Sequence, residues 1–252
     1  MPYVHFEDLG QMRYAEAWDY QTALHRKLVD NKIRHRPSPP LSYPQDHYLL
    51  FVEHPPVFTL GKSGSMDNLL LSEEQLAERG IEFFPINRGG DITFHGPGQL
   101  VGYPILDLEC FFTDVHRYVR SIEEVIIRTL AHFDLEACRI KDYTGVWLSG
   151  AAPGIQGEAT RMQRKICAIG VHLSRWVTLH GWAFNVNTRL EYFDYIVPCG
   201  IVDADKTVTS LERELGAPVD MDLVKTLIKQ HFSAVFECEW AAPVAPQQLL
   251  SL

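Results

Sequence analysis

The chain has little cysteine and scatters what it has. Its five cysteines, Cys110, Cys138, Cys167, Cys199 and Cys238, are an odd number without a CxxC pair, so neither a disulfide framework nor a structural zinc site is expected. Long apolar runs are also missing: none approaches the roughly 18 residues that cross a bilayer. The opening MPYVHFEDLG lacks the basic and apolar regions of a secretory signal, so the expectation is a cytoplasmic protein that does not enter membranes. Positive charge is in short supply. The 23 Lys and Arg face 32 Asp and Glu, a net charge of −9, which repels a phosphate backbone and disfavours nucleic acid as a partner.

Phosphate-cradling loops are absent as well. Gly61-Lys62-Ser63 has Pro56 where a P-loop needs glycine, and Gly96, Gly98 and Gly102 do not keep the dinucleotide spacing. An ATP-driven activation step therefore has no motif to support it. What is present is ordinary for a folded enzyme of this size: 252 residues, 46% hydrophobic and 22% charged, enough for one large domain or two unequal ones.

Hydrophobic periodicity predicts an amphipathic helix over Tyr14 to Asn31 and a Pro-broken loop over 34 to 46. Extended pieces follow at Tyr48 to Val52 and Val57 to Leu60. A capping box of Ser72 and Gln75 opens a helix that Gly80 can end. Further strands are expected at Ile81 to Ile86, Leu100 to Leu108, Gly145 to Leu148, Lys165 to Ser174 and Val177 to Val186. A long helix starts near Asp114, Gly150 to Arg164 reads as a loop, and a last helix spans Asp222 to Phe236. Strands and helices mix without a βαβ rhythm, which predicts an α+β fold with a mixed β-sheet flanked by helices. A composition break near Asp203 to Thr207 divides a large catalytic domain, 1–205, from a small C-terminal subdomain and tail, 206–252.

Three segments have residues that can carry chemistry. In RGGDITFHGPGQL, Gly89 and Gly90 remove two side chains, so a ligand can approach main-chain N–H groups between Arg88 and His95; the plain alternative is a glycine turn between strands. In KICAIG, period-two alternation puts Lys165, Cys167, Ile169 and Val171 on one strand face. There Lys165 either reaches water along its stem or stabilises a nearby thiolate. In VPCGI, Pro198 restrains the chain before Cys199 and Gly200 removes bulk after it, which suits a reachable thiol as well as a small packing cysteine.

Taken in order, EHPPVFTLG, RGGDITFHGPGQLVGYPI, KICAIGVHLSRWVTLHGWAFNV and VPCGI resemble the octanoyl-[acyl carrier protein]:protein octanoyltransferases, over about residues 47 to 215. The resemblance implies the fold of the biotin and lipoate protein ligases. It implies that Cys199 forms an acyl thioester and that Lys165 is its catalytic partner. Substrate contacts carry over to Arg88, Gly89, Gly90, Asp91, Ile92, Thr93, Phe94 and His95, to Ala168, Ile169 and Gly170, and to Gly181, Trp182 and Ala183. The donor implied is an octanoyl group on the phosphopantetheine arm of acyl carrier protein. The acceptors implied are lysines on lipoyl domains of 2-oxoacid dehydrogenase complexes and on the glycine cleavage H protein. An acyl group already activated as a thioester needs neither ATP nor metal.

Two departures from the family pattern stand out. Cys167 replaces the usual alanine and is expected to be a packing residue, and Trp182 is bulkier than usual and could reshape the acyl pocket. Acidic partners would need a local basic patch, for which Arg117, Arg120, Arg161, Arg164 and Arg175 are candidates. Three rival functions are open on the residues alone: an ATP-dependent lipoate or biotin ligase on the same scaffold, a non-catalytic protein that binds acyl carrier or lipoyl domains, and a cysteine hydrolase pairing Cys199 with His95 or His180.

Overall fold

Helix and strand start where local chemistry tells them to. Ser72 accepts from the backbone N–H of Gln75, whose side chain accepts in return from the Ser72 N–H, so the expected capping box opens α2 (Glu73–Glu78). Asp114 accepts from the N–H of Arg117 and starts α3 (Val115–Ala131). The computed structural model describes residues 1–36, 38–40, 42–197 and 205–242. Among them the other helices are α1 (Tyr14–Arg34), α4 (Leu211–Leu215) and α5 (Met221–Phe236). The strands in the first half are β1 (Tyr3–Gln11), β2 (Tyr48–Glu53), β3 (Val57–Leu60), β4 (Glu82–Pro85), β5 (Ile92–His95) and β6 (Gln99–Ile105). Those in the second half are β7 (Ala137–Ile140), β8 (Tyr143–Leu148), β9 (Gln163–Ser174), β10 (Val177–Asn185), β11 (Lys206–Val208) and β12 (Glu239–Trp240).

The main sheet runs β12-β1-β2-β6-β10-β9-β8-β7, with β11 beside β9, and a small sheet runs β4-β3-β5. β1 is parallel to both β2 and β12, while β6, β9 and β10 pair antiparallel. This is the mixed sheet expected of an α+β fold. Alternation along β2 decides what each face buries. Leu50 and Val52 pack under α1 with Ala17, Leu24 and Leu28, whereas Leu49 and Phe51 join Ile122, Val125, Ile228 and Phe232 from α3 and α5. No helix among the described residues is long and apolar enough to cross a membrane.

Residues 206 to 242, expected as a small subdomain, are woven into this core. β11 pairs parallel with β9, β12 pairs with β1, and Val224, Ile228, Phe232 and Phe236 of α5 are buried in the same cluster as α3. From 206 to 242 the chain therefore shares its core with the residues before the composition break. The strands β1, β5, β7, β11 and β12 and the short α4 lie beyond what periodicity predicts, because each is short or lacks clean alternation.

A buried ion pair ties this last segment down. Arg164 of β9 donates to both carboxylate oxygens of Glu214, at 2.8 and 3.0 Å, and Thr209 Oγ1 donates to Glu214 Oε1 at 2.6 Å. Arg164 and Glu214 are 2% and 0% exposed, so removing one partner strands a buried charge. Glu214→Ala is expected to lower unfolding stability by about 3–5 kcal/mol, read as a reduced urea midpoint at unchanged slope.

Candidate active site

Small residues in register make a trough across the sheet. Ala168 of β9 faces Ala183 of β10, which faces Val101 of β6, and Gly170 faces Gly181 one row along. Where these residues lack bulk, the surface under α1 sinks, and a cavity of about 50 Å³ forms over it. Tyr14, His95, Tyr103 and Val101 also line it. Gly90, Ala168 and Ile169 border both this cavity and an outer cleft of about 650 Å³ that also touches Ser63, Asp91, Tyr143 and Lys165.

The segment 88 to 91 roofs the trough and is fastened on two sides. Gly61, Lys62 and Ser63 donate main-chain bonds to Asp91, Arg88 and Gly90, and Gly89 N–H donates to Val171 O on β9 at 3.1 Å. Arg88 reaches back to Thr59, donating to its carbonyl at 2.6 Å and its hydroxyl at 3.0 Å. Close approach requires the glycines. A Cβ at Gly61 would lie 2.2 Å from Gly90 O, and one at Gly170 would lie 3.0 Å from Arg88 Cδ. Since the Gly89 N–H is engaged by Val171, Gly90 is the member of the pair whose N–H bonds to none of the described residues.

The sequence expectations divide along β5. Thr93 and His95 border the cavity, but Ile92 and Phe94 point the other way, into a satellite core with Phe58, Leu76 and Phe193. Trp182 borders the cavity, yet its indole is sunk into the core beneath. It lies over Gly102, where a Cβ would meet the ring at 2.1 Å, and packs against Phe51 and Phe232. The indole thus fills the α3 and α5 side of the sheet and leaves the trough to Gly181 and Ala183.

Lys165 and Cys167 do not share a face, contrary to simple alternation. The pairing steps from Val146↔Cys167 to Trp147↔Lys165, so Ile166 is the extra residue of a β-bulge, a device that re-aims neighbouring side chains. Ile166 and Cys167 both face the core with Val146 and Leu148, whereas the Lys165 ammonium lies 4.8 Å over the Trp147 ring and borders the outer cleft. Gly145, at φ 123°, passes beneath it, with Lys165 Cε 3.4 Å from where a Cβ would stand. The buried Glu123 carboxylate accepts from the Gly145 N–H at 3.1 Å and holds that turn.

Electrostatics separates the groups further. Burial pushes the Cys167 thiol well above its ordinary pKa, Glu123 adds to this, and Lys165 only partly opposes it. Cys167 therefore stays a protonated thiol, in contact with Ala168 O at 3.6 Å. The histidines around the cavity are neutral. Burial lowers His54 to about 4 and His180 to about 3, and holds His95 well below the usual imidazole range. His95 bonds Gln99 at 2.8 Å and Thr59 at 3.3 Å, and His180 bonds Asn87 at 2.8 Å. Among the described residues no group of three His, Cys, Asp or Glu side chains is placed to hold a metal ion.

A model of the lipoyl protein ligase A/B catalytic domain matches residues 13–233. The chain belongs to this family. Among its relatives, an octanoyltransferase of Flavobacterium johnsoniae is 54% identical, with 94% of this chain and 97% of that one covered. An octanoyltransferase of Cytophaga hutchinsonii is 52% identical over 92% of this chain and 91% of its own length. The fold is that of a bipartite lipoate protein ligase of an archaeal lipoylation system from Thermoplasma acidophilum, at TM-score 0.69, 13% identity and coverage of 98% and 89%. It is likewise that of a lipoate-protein ligase A bound with ATP, at TM-score 0.64, 13% identity and coverage of 98% and 90%.

Within this family frame, Cys199 lies outside the described residues. The trough, its Arg88–Gly90 roof and Lys165 are described, and Gly90, Ala168 and Ile169 join them into one site. Tyr14, Val101 and Tyr103 also line the cavity and were missed as site residues, and His180, named above only for the hydrolase reading, lines it too. For Tyr14 the signal was hidden in the buried stripe of α1. The expected arginine patch is not one surface: Arg164 is locked to Glu214, Arg120 pairs with Glu123, and Arg117 lies over the Phe112 ring at 4.2 Å.

Proposed function

We propose that the chain transfers octanoyl groups from octanoyl-acyl carrier protein to lysines of lipoyl domains, through a thioester on Cys199. The observation that carries this reading is an apolar trough that opens, past Gly90, Ala168 and Ile169, into the cleft holding the Lys165 ammonium. The trough suits an acyl chain, because each buried methylene contributes about 0.8 kcal/mol. The ammonium suits a thiolate, because a nearby cation favours the ionised sulfur.

The chemistry runs in two balanced steps. The Cys199 thiolate attacks the carbonyl carbon of the donor thioester, the tetrahedral oxyanion collapses, and the pantetheine sulfur leaves with the proton of Lys165. The acceptor lysine nitrogen then attacks the enzyme thioester, its proton passes to the neutral Lys165 amine, and the Cys199 thiolate is released as the amide forms. Neither step consumes ATP or uses a metal. The acceptors of this reading are lipoyl domains of 2-oxoacid dehydrogenases and the glycine cleavage H protein, and the cytoplasm is where donor and acceptor would meet.

The test mixes the chain with octanoyl-acyl carrier protein and a lipoyl domain without nucleotide. The expected result is an octanoyl amide on the domain's lysine, located by mass spectrometry. Transfer only from free octanoate with ATP would make the protein a ligase, and release of octanoate without an acceptor would make it a hydrolase.

A further inference from the structure

One ring in the trough's wall comes from a helix and not from the sheet. Tyr14, at the start of α1, is 1% exposed and lines the trough, whereas Lys165 borders the outer cleft. Its ring stacks on His95 at 6.0 Å and 10° and meets His54 edge-on at 5.2 Å. Its other contacts are apolar: Phe84 at 5.2 Å, Trp18 at 5.9 Å, and a satellite cluster with Val57 and Ile86. The Tyr14 ring thus stands between the acyl trough and a packed apolar cluster.

The neighbouring walls are less adjustable. His95 is held by Gln99 and Thr59, and Tyr103 OH donates to His54 at 2.8 Å while His54 donates to Met12 O. Moving either ring would leave a buried polar group unpaired, which is costly. The trough crosses from β9 over β10 to β6, two strand spacings of about 4.8 Å each, a distance comparable to an extended chain of eight carbons. Behind the ring at 14 the neighbours are apolar side chains, so room made there is apolar.

We propose that Tyr14 sets the acyl-chain length this protein accepts, by closing the trough against the Trp18, Phe84, Val57 and Ile86 cluster. The proposal rests on the octanoyl-transfer reading given above. Removing the ring adds its own volume to the trough, lined by apolar neighbours, so the room gained favours additional methylenes.

The experiment compares enzyme acylation by octanoyl-, decanoyl- and dodecanoyl-acyl carrier protein, followed by intact mass, for wild type, Tyr14→Phe, Tyr14→Leu and Tyr14→Ala. Tyr14→Ala is expected to raise the ratio of dodecanoyl to octanoyl acylation at least about tenfold, the discrimination that one methylene commands in a shaped apolar pocket. Tyr14→Leu is expected to shift the decanoyl ratio in the same direction, and supplies the answer if the alanine variant does not fold. Tyr14→Phe keeps the ring and is expected to keep the wild-type ratio. Folded alanine and leucine variants with wild-type ratios overturn the proposal, as does a phenylalanine variant that shifts as far as they do. Wild type that takes no acyl group from any donor would overturn the octanoyl-transfer reading itself, a distinct outcome.

Discussion

Cys199→Ala is expected to abolish the covalent octanoyl adduct and transfer to the lipoyl domain together, whereas Cys167→Ala keeps both. The two thiols differ in what their surroundings allow. Cys167 is fully buried among Val146, Leu148 and Ile166, and burial with the nearby Glu123 carboxylate keeps its proton on. A thiol in that state is a poor nucleophile, because attack needs the thiolate. Replacing it by alanine removes one small group from a packed core and is expected to cost stability, not chemistry. Of the other cysteines, Cys110 and Cys238 are buried and Cys138 is half-buried on β7, at the sheet edge away from the trough. Cys199 follows the restraining Pro198 and precedes Gly200, a context suited to a reachable sulfur. Intact mass after donor addition reads the adduct directly, and an adduct persisting in Cys199→Ala would refute the assignment.

How much of this was legible in the sequence depended on whether a side chain's task leaves a local trace. Gly90 did so, since its φ of 87° favours glycine in the roof of the trough, whereas Gly170 and Gly181, where a Cβ would lie 3.0 and 2.1 Å from its neighbours, were marked only by the family resemblance. Tyr14 did not. An aromatic residue on the buried stripe of an amphipathic helix looks the same whether it meets packed core or a cavity wall, and the difference lies in β6 and β5, more than 75 positions away. The bulge at Ile166 was equally hidden, because it is a property of the pairing between β9 and β8 and not of KICAIG itself. The same holds for Arg164, which read as a surface cation until its pairing with Glu214, 50 positions on, placed it in the core.

The bulge also decides what Lys165 can do, and its substitutions separate charge from proton transfer. Without it, alternation would carry Lys165 into the core beside Cys167; with it, the ammonium lies over Trp147 at the cleft. Lys165→Ala is expected to slow octanoyl transfer about 10²- to 10⁴-fold near neutral pH, the usual worth of a positioned acid–base group. An unassisted thiol with pKa near 8.5 is only roughly a few per cent ionised at pH 7. Raising the pH past about 8.5 therefore should restore the first step in Lys165→Ala, narrowing its deficit in adduct formation relative to wild type. Lys165→Arg keeps the positive charge but holds its proton at every accessible pH. In that variant the adduct should form and then persist, because no neutral amine is there to take the proton of the attacking lysine. Single-turnover mass spectrometry at pH 7 and pH 9 distinguishes the two steps. An arginine variant that completes transfer at the wild-type rate would show that Lys165 supplies charge alone, and an alanine variant with a normal rate at pH 7 would remove it from the mechanism.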